Sequence, residues 1–140
     1  MSINNFYKNK LKKIPRFAVT GLNPHCESNF NNSEEDKIIK PAIKLAKNKK
    51  LKVEGPFAAD TLFIKKNIKK FDVVIGMYHD QVLTPIKTLY SFNAINITLG
   101  LPFIRISPDH GPNNKMIGQK KSDPTSLREA LIFLRKINGI

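Results

Sequence analysis

Two stretches of this chain end an apolar run with side chains able to hold a cation or move a proton. Val73-Val74-Ile75-Gly76-Met77 runs into Tyr78-His79-Asp80-Gln81, and Phe17-Ala18-Val19-Thr20 runs into Gly21-Leu22-Asn23-Pro24-His25. Short β-branched runs of this kind read as buried strands. In open α/β sheets the ligand crevice lies past the carboxyl ends of the strands. An imidazole, a carboxylate and an amide crowded at such an end therefore read as a site. The plainer reading makes Asp80 a helix cap and His79 an ordinary surface residue. Neutral imidazoles suit a divalent first-row cation such as Zn²⁺ or Co²⁺, and His25 and His79 can converge if both strands belong to one parallel sheet. The third histidine, His110, sits in a loop of a different kind. No HExxH or CxxC spacing occurs, so spacing alone says little for a metal.

Lys87, Asn96 and Arg105 are the candidates for holding and orienting an anion. Arg105 lies between Ile104 and Ile106, so its side chain alternates to the opposite face, where a guanidinium can grip a phosphate or carboxylate in bidentate fashion. Each of these residues has a plain reading as a surface group, and Lys87 stands among many other lysines. Cys26 follows His25, but no further element supports a thiol nucleophile. Walker and GxGxxG loops are both absent, so a dinucleotide would have to be held in another way.

The elements that must position these groups alternate between strand and helix. Residues 1 to 14 carry a weak amphipathic pattern that Pro15 closes. A helix is predicted from Ser33, its N-cap, to about Lys49, with Glu34 and Glu35 at its positive end and a stripe of Ile38, Ile39, Ala42, Ile43 and Ala46 facing a sheet. A strand at Leu51 to Val53 is expected to stop at Gly55-Pro56, and Asp60 starts a short helix. Next come the strand before His79 and a helix from about Gln81 to Tyr90, whose Pro85 is tolerable only near a first turn. Ile95 to Leu99 alternates as a strand, and Phe103 to Ile106 extends again. The last helix follows Asp123-Pro124, buries Leu127, Ala130, Leu131, Leu134 and Ile137, and ends at Gly139. Alternating strands and helices give an α/β fold with a mostly parallel sheet flanked by helices.

With 140 residues, 41% of them hydrophobic and 25% charged, the chain has the balance of an ordinary globular domain. The apolar runs fall well short of the ~20 residues a bilayer span needs, so no membrane partner is expected. The single cysteine fits a reducing, cytoplasmic setting. A net charge of +13 raises nucleic acid as a partner. The charge is nearly all lysine in scattered pairs, with arginine only at Arg16, Arg105, Arg128 and Arg135, and no RNP-type or helix-turn-helix pattern stands out. Specific nucleic-acid binding is therefore not expected.

Taken together, Gly21-Leu22-Asn23-Pro24-His25, Gly55-Pro56 with Ala59-Asp60-Thr61-Leu62-Phe63, Met77-Tyr78-His79-Asp80-Gln81, Asn96 through Arg105 and Asp109-His110-Gly111 follow one another as in 4-hydroxythreonine-4-phosphate dehydrogenases of pyridoxal phosphate biosynthesis. The chain resembles the C-terminal part of that family along nearly its whole length. The resemblance implies a two-domain fold like that of isocitrate and isopropylmalate dehydrogenases, of which residues 1–140 would be a single partial unit lacking the N-terminal half. It implies a divalent metal (Zn²⁺, Co²⁺ or Mg²⁺) and NAD or NADP as cofactors, a small phosphorylated hydroxy-amino acid as substrate, and a homodimer. By motif, His25 and His79 look like metal ligands and, with Lys87, like the catalytic set. Lys87, Asn96 and Arg105 look like substrate contacts, and Asp109, His110, Gly111 and Asn113 like contacts of the dinucleotide. The loop Cys26 to Phe30 is shorter and bulkier than the family's glycine-rich one. With the N-terminal half and its further ligands missing, the chain is expected to be inactive alone or to need a separately encoded partner half. The competing expectation is a basic binding module, for nucleic acid or an acidic partner, that reuses the scaffold.

Overall fold

The computed structural model describes residues 1–26, 32–111 and 114–139. The chain divides into two compact units, one of Lys13–Pro85 and one of Met1–Lys12 with Ile86–Ile140. In the first, β1 (Arg16–Thr20), β2 (Lys52–Phe57) and β3 (Val73–Ile75) form a parallel sheet in the order β2-β1-β3. The unbroken apolar run of β1 is what a central parallel strand covered on both faces requires, and Phe17 through Thr20 are all buried. Phe17 lies opposite Val53 on one side and Val73 on the other, and Val19 lies opposite Ile75. The pairing of β1 with β3 is started by Asp72, whose carboxylate accepts from the Arg16 N–H at 2.8 Å and from Lys13 Nζ at 2.6 Å, while its own N–H donates to the Arg16 carbonyl at 2.8 Å.

Strand β2 does not stop at Gly55-Pro56 but runs through it to Phe57. The register shifts there, between Ala18 and Thr20 of β1. Gly55 makes this possible: its φ is +134°, and a Cβ at that position would lie 2.5 Å from the Val19 carbonyl oxygen.

The helix expected from Ser33 forms, with Ser33 Oγ accepting from the Asp36 N–H at 3.3 Å, but it opens as a π-helical turn, Glu35–Ile39, before α2 (Lys40–Asn48). Lys40 N–H reaches back to the Glu35 carbonyl. Pro41 has no N–H to give and crowds the carbonyl four residues earlier, which favours a wider turn at this point. Ile39 and Ile43 are buried, whereas Ile38 and Ala42 of the expected stripe are exposed. The short helices α3 (Ala59–Leu62) and α4 (Lys65–Ile68) follow β2, and Leu62 is buried. Helix α5 (His79–Tyr90) begins two residues earlier than predicted, which places Pro85 inside the helix and not at its first turn.

In the second unit, β4 (Ile95–Thr98) and β5 (Arg105–Pro108) pair antiparallel, with Ile97 opposite Ile106 and Thr98 opposite Arg105. Helix α6 (Thr125–Asn138) packs against this ribbon. The Asp123 carboxylate accepts from the Thr125 N–H at 2.9 Å, and Gly139 closes the helix at φ 72°. Its buried face is Ser126, Ala130 and Ile137, with Phe133 and Leu134 half-buried. Leu127 and Leu131, expected to be covered, are exposed. The buried place beside Ala130 is taken by Ser126, whose hydroxyl donates to the Ala94 carbonyl at 2.6 Å and accepts from the Asp109 N–H at 3.0 Å. Helix α1 (Ser2–Lys10) stacks Phe6 on Phe133 with ring centroids 6.3 Å apart. The α/β fold with a parallel sheet flanked by helices is thus as expected, with an antiparallel ribbon added. Among the described residues, no helix is long and apolar enough to cross a membrane.

Candidate functional site

Strands β1 and β3 are neighbours in one parallel sheet, so the segments leaving their carboxyl ends start side by side. One carries His25 and the other His79. Past β1, the Asn23 side-chain oxygen accepts from the His25 N–H at 2.9 Å, and the Cys26 N–H donates to the Asn23 carbonyl at 3.1 Å. This Asx-type turn leaves the His25 side chain exposed. It is held from below by Glu35, which is 1% exposed and accepts from the Asn23 N–H at 2.6 Å. That hydrogen bond, outweighing the cost of burial, holds the Glu35 carboxyl below its ordinary range. Burial pushes the neighbouring Cys26 thiol up, away from the thiolate a nucleophile needs.

Past β3, His79 is the first residue of α5 and its Nδ1 lies 2.7 Å from the Asp80 carboxylate. A carboxylate at Nδ1 favours the tautomer with the proton there, which leaves Nε2 with a free lone pair, the arrangement common in histidine–metal sites. The two turns are joined by Gln81. Its Oε1 accepts from the Thr20 hydroxyl at 2.8 Å, the Met77 N–H at 2.8 Å and the Tyr78 N–H at 3.2 Å, and its Nε2 donates to the Gly21 carbonyl at 2.9 Å.

Among the described residues, no group of three or more His, Cys, Asp or Glu is placed to hold a metal. Catalytic zinc sites usually take about three protein ligands. The donor set of this unit therefore fits a divalent cation in kind, with two imidazoles and one of them oriented by a carboxylate, but supplies only part of a coordination shell.

The other candidates lie in the second unit. Register places Asn96 opposite Ser107 and Thr98 opposite Arg105, so the four share one face of the ribbon, while Ile97 and Ile106 share the other. Arg105 Nη1 donates to Thr98 Oγ1 at 3.0 Å, and among the described residues the rest of the exposed guanidinium fork is available. Lys87 Nζ pairs with the Asp109 carboxylate at 2.9 Å and also meets the Asp109 carbonyl. His110 and Gly111 are exposed, with His110 Nδ1 3.2 Å from the Gly111 carbonyl oxygen. Asn113 and most of the loop Cys26 to Phe30 lie outside the described residues. Sequence reasoning counted Gln81 as an amide crowded at the strand end without foreseeing that it joins the two turns, and read Glu35 as a helix-end charge. The only signal for either was a polar side chain next to a strand end or a turn.

An α/β scaffold that brings two histidines to adjacent carboxyl strand ends is the kind on which enzymes build a cofactor and substrate site. The chain belongs to the family described as pyridoxal phosphate biosynthetic protein PdxA, which it matches over residues 2–134. It is 44% identical over 124 residues to a 4-hydroxythreonine-4-phosphate dehydrogenase of Xanthobacter autotrophicus, a match covering 88% of this chain and 35% of that protein. It is 46% identical over 121 residues to an Oceanobacillus iheyensis protein whose name is that of a D-threonate 4-phosphate dehydrogenase, covering 85% of this chain and 36% of that one. A crystal structure of 4-hydroxythreonine-4-phosphate dehydrogenase from Klebsiella pneumoniae superposes with a TM-score of 0.79 at 34% identity, covering 96% of this chain and 41% of that one. The family is the one the motifs led us to expect. The chain spans well under half the length of these relatives.

Proposed function

We propose that this chain is the C-terminal segment of a metal-dependent NAD(P) dehydrogenase. In this reading the enzyme oxidises the 3-hydroxyl of 4-phosphooxy-L-threonine to give 2-amino-3-oxo-4-phosphooxybutanoate, which loses CO₂ to become 3-amino-2-oxopropyl phosphate on the way to pyridoxal 5'-phosphate. The observation that carries the reading is the pairing of β1 with β3, which starts the His25 and His79 turns side by side.

His25 and His79 would hold the cation, His79 through Nε2 because Asp80 lies at Nδ1. When bound, a divalent cation supplies Lewis-acid polarisation of the hydroxyl and NAD(P) supplies the hydride acceptor. Arg105 and Asn96, on one face of the ribbon, orient the phosphorylated substrate. Arg105 keeps one nitrogen on Thr98, which fixes the plane of the fork before substrate arrives and lowers the ordering cost of binding. Lys87 contributes a further positive charge, steadied by Asp109, and the segment Asp109, His110, Gly111 and Asn113 takes the dinucleotide. Because this chain brings two imidazoles and a partial coordination shell, it is inactive alone. An N-terminal half would have to supply what is missing, since a dimer of this chain brings no ligand that one copy lacks.

The test is a dehydrogenase assay with NAD⁺ or NADP⁺ and added divalent metal, on this chain alone and then mixed with an N-terminal half from a full-length relative. Turnover only in the mixture is expected. Turnover by the chain alone would overturn the fragment reading. Running 4-phosphooxy-L-threonine beside D-threonate 4-phosphate separates the substrates after which the two relatives are named.

The net charge of +13 favours a second reading, a basic module that binds nucleic acid or an acidic partner. Retention on nucleic acid that falls steeply with salt, without binding of metal or phosphate ester, would establish it.

A further inference from the structure

We propose that Gln81 is the positioning residue of the two-histidine centre, a single uncharged amide that sets the distance between the chain segments bearing His25 and His79. The inference rests on the cation reading given above. Backbone pairing of β1 with β3 ends at Val19 and Ile75. Beyond that point side chains tie the two segments together: the Thr20 hydroxyl lies 3.3 Å from the Ile75 carbonyl oxygen and accepts from the Met77 N–H at 3.3 Å, but both histidines lie further along, where Gln81 is the link.

Gln81 bridges the gap. Its Nε2 holds the Gly21 carbonyl at 2.9 Å, at the root of the His25 turn. Its Oε1 holds the Met77 and Tyr78 N–H groups at 2.8 and 3.2 Å, immediately before His79. The Thr20 hydroxyl, fully buried, donates to the same oxygen at 2.8 Å. With three donors on Oε1, no lone pair remains for a cation, so Gln81 acts through the histidines and not as a ligand.

The chemistry of the amide is specific. Donor and acceptor are both used, so a carboxylate would lose the bond to Gly21 and set an anion against its carbonyl. An aliphatic isostere would lose both sides. Substitution of residues that orient metal ligands costs roughly 10- to 100-fold in metal affinity.

The test uses the full chain and Co²⁺ alone as probe, followed by visible absorption and by the NMR signals of the histidine rings, with backbone amide spectra reporting the fold. In the unaltered chain Co²⁺ should shift the rings of both His25 and His79, and His25→Ala and His79→Ala should each abolish that response. Gln81→Met should weaken Co²⁺ at least about tenfold while the Phe17 to Val19 amides keep their positions. Gln81→Glu, which keeps the acceptor for Thr20, Met77 and Tyr78 and loses the donation to the Gly21 carbonyl, should weaken it in the same direction, and decides the matter if Gln81→Met does not fold. Co²⁺ affinity unchanged in the folded variants, with both histidines still required, would overturn the positioning role and leave the cation reading intact. A Co²⁺ response that ignores His25→Ala and His79→Ala, or no response in the unaltered chain, would overturn the cation reading and this inference with it.

Discussion

In the parallel-sheet unit the candidate histidines ride on turns that leave a buried sheet, whereas in the ribbon unit Asn96 and Arg105 stand on the strands themselves. The two arrangements are held by different forces. On the ribbon, backbone register alone decides that Asn96, Thr98, Arg105 and Ser107 share a face. Beyond Val19 and Ile75 the backbone pairing of β1 with β3 ends, and the turns are fixed by polar side chains: the Thr20 hydroxyl and Gln81 between them, Asn23 within one, and Glu35 beneath it. A site on a strand inherits its precision from the sheet. A site on turns depends on individual hydrogen bonds that single substitutions remove.

The largest expected effect separates the two units by their packing. Ile43 is buried against the parallel sheet, while Leu131 on α6 is 54% exposed. Ile43→Ala should cost about 2–5 kcal/mol in urea unfolding, and Leu131→Ala no more than about 0.5 kcal/mol. Equal losses would break the contrast. Next in size is Ser126→Ala, which leaves the Ala94 carbonyl and the Asp109 N–H without their partner. It should cost about 1–3 kcal/mol and speed hydrogen exchange at Asp109, the residue that also pairs with Lys87.

A smaller effect should appear on acidification. The Glu35 carboxyl is held below its ordinary range by the Asn23 N–H, and that of Asp72 by Lys13 first and then by the Arg16 N–H. A carboxyl whose pKa is lower folded than unfolded adds stability that is complete above its unfolded value and fades as pH falls through the folded one. The parallel-sheet unit should therefore lose stability below about pH 4.5, the ordinary glutamate value. Glu35→Gln should flatten that fall and loosen the Asn23 turn, read as unfolding midpoints across pH. The smallest effect is reserved for Arg105→Lys, an exposed change on a face set by register. Stability should move by no more than about 0.5 kcal/mol, while affinity for inorganic phosphate falls because lysine lacks the fork. A large loss of stability would show that Arg105 holds the ribbon and is not free to serve a ligand.

Much of this was legible in the sequence where local pattern decides. The run Phe17 to Thr20 announces a strand covered on both faces, Asp123 and Gly139 mark the ends of α6, and the ordered motifs name the family. Other features were not legible because they depend on contacts between distant residues. Strand β2 passes through Gly55-Pro56 because Gly55, lacking a Cβ, lets the Val19 carbonyl of the neighbouring strand come close at the register shift. Leu127 and Leu131 face outward, and the buried place beside Ala130 is taken by a serine that satisfies two backbone groups. Glu35 looked like a charge at a helix end and is instead a buried acceptor for a turn that precedes it by a dozen residues.

By itself the sequence determined which residue types stand at the ends of apolar runs, since strand alternation and turn chemistry act over a few residues. Only the tertiary structure decided which of those ends are neighbours. The order β2-β1-β3 sets the His25 and His79 segments side by side. The contacts of Gln81 with Thr20 and Gly21 span about sixty positions, a separation at which hydrogen bonding leaves no periodic trace in the order of the residues.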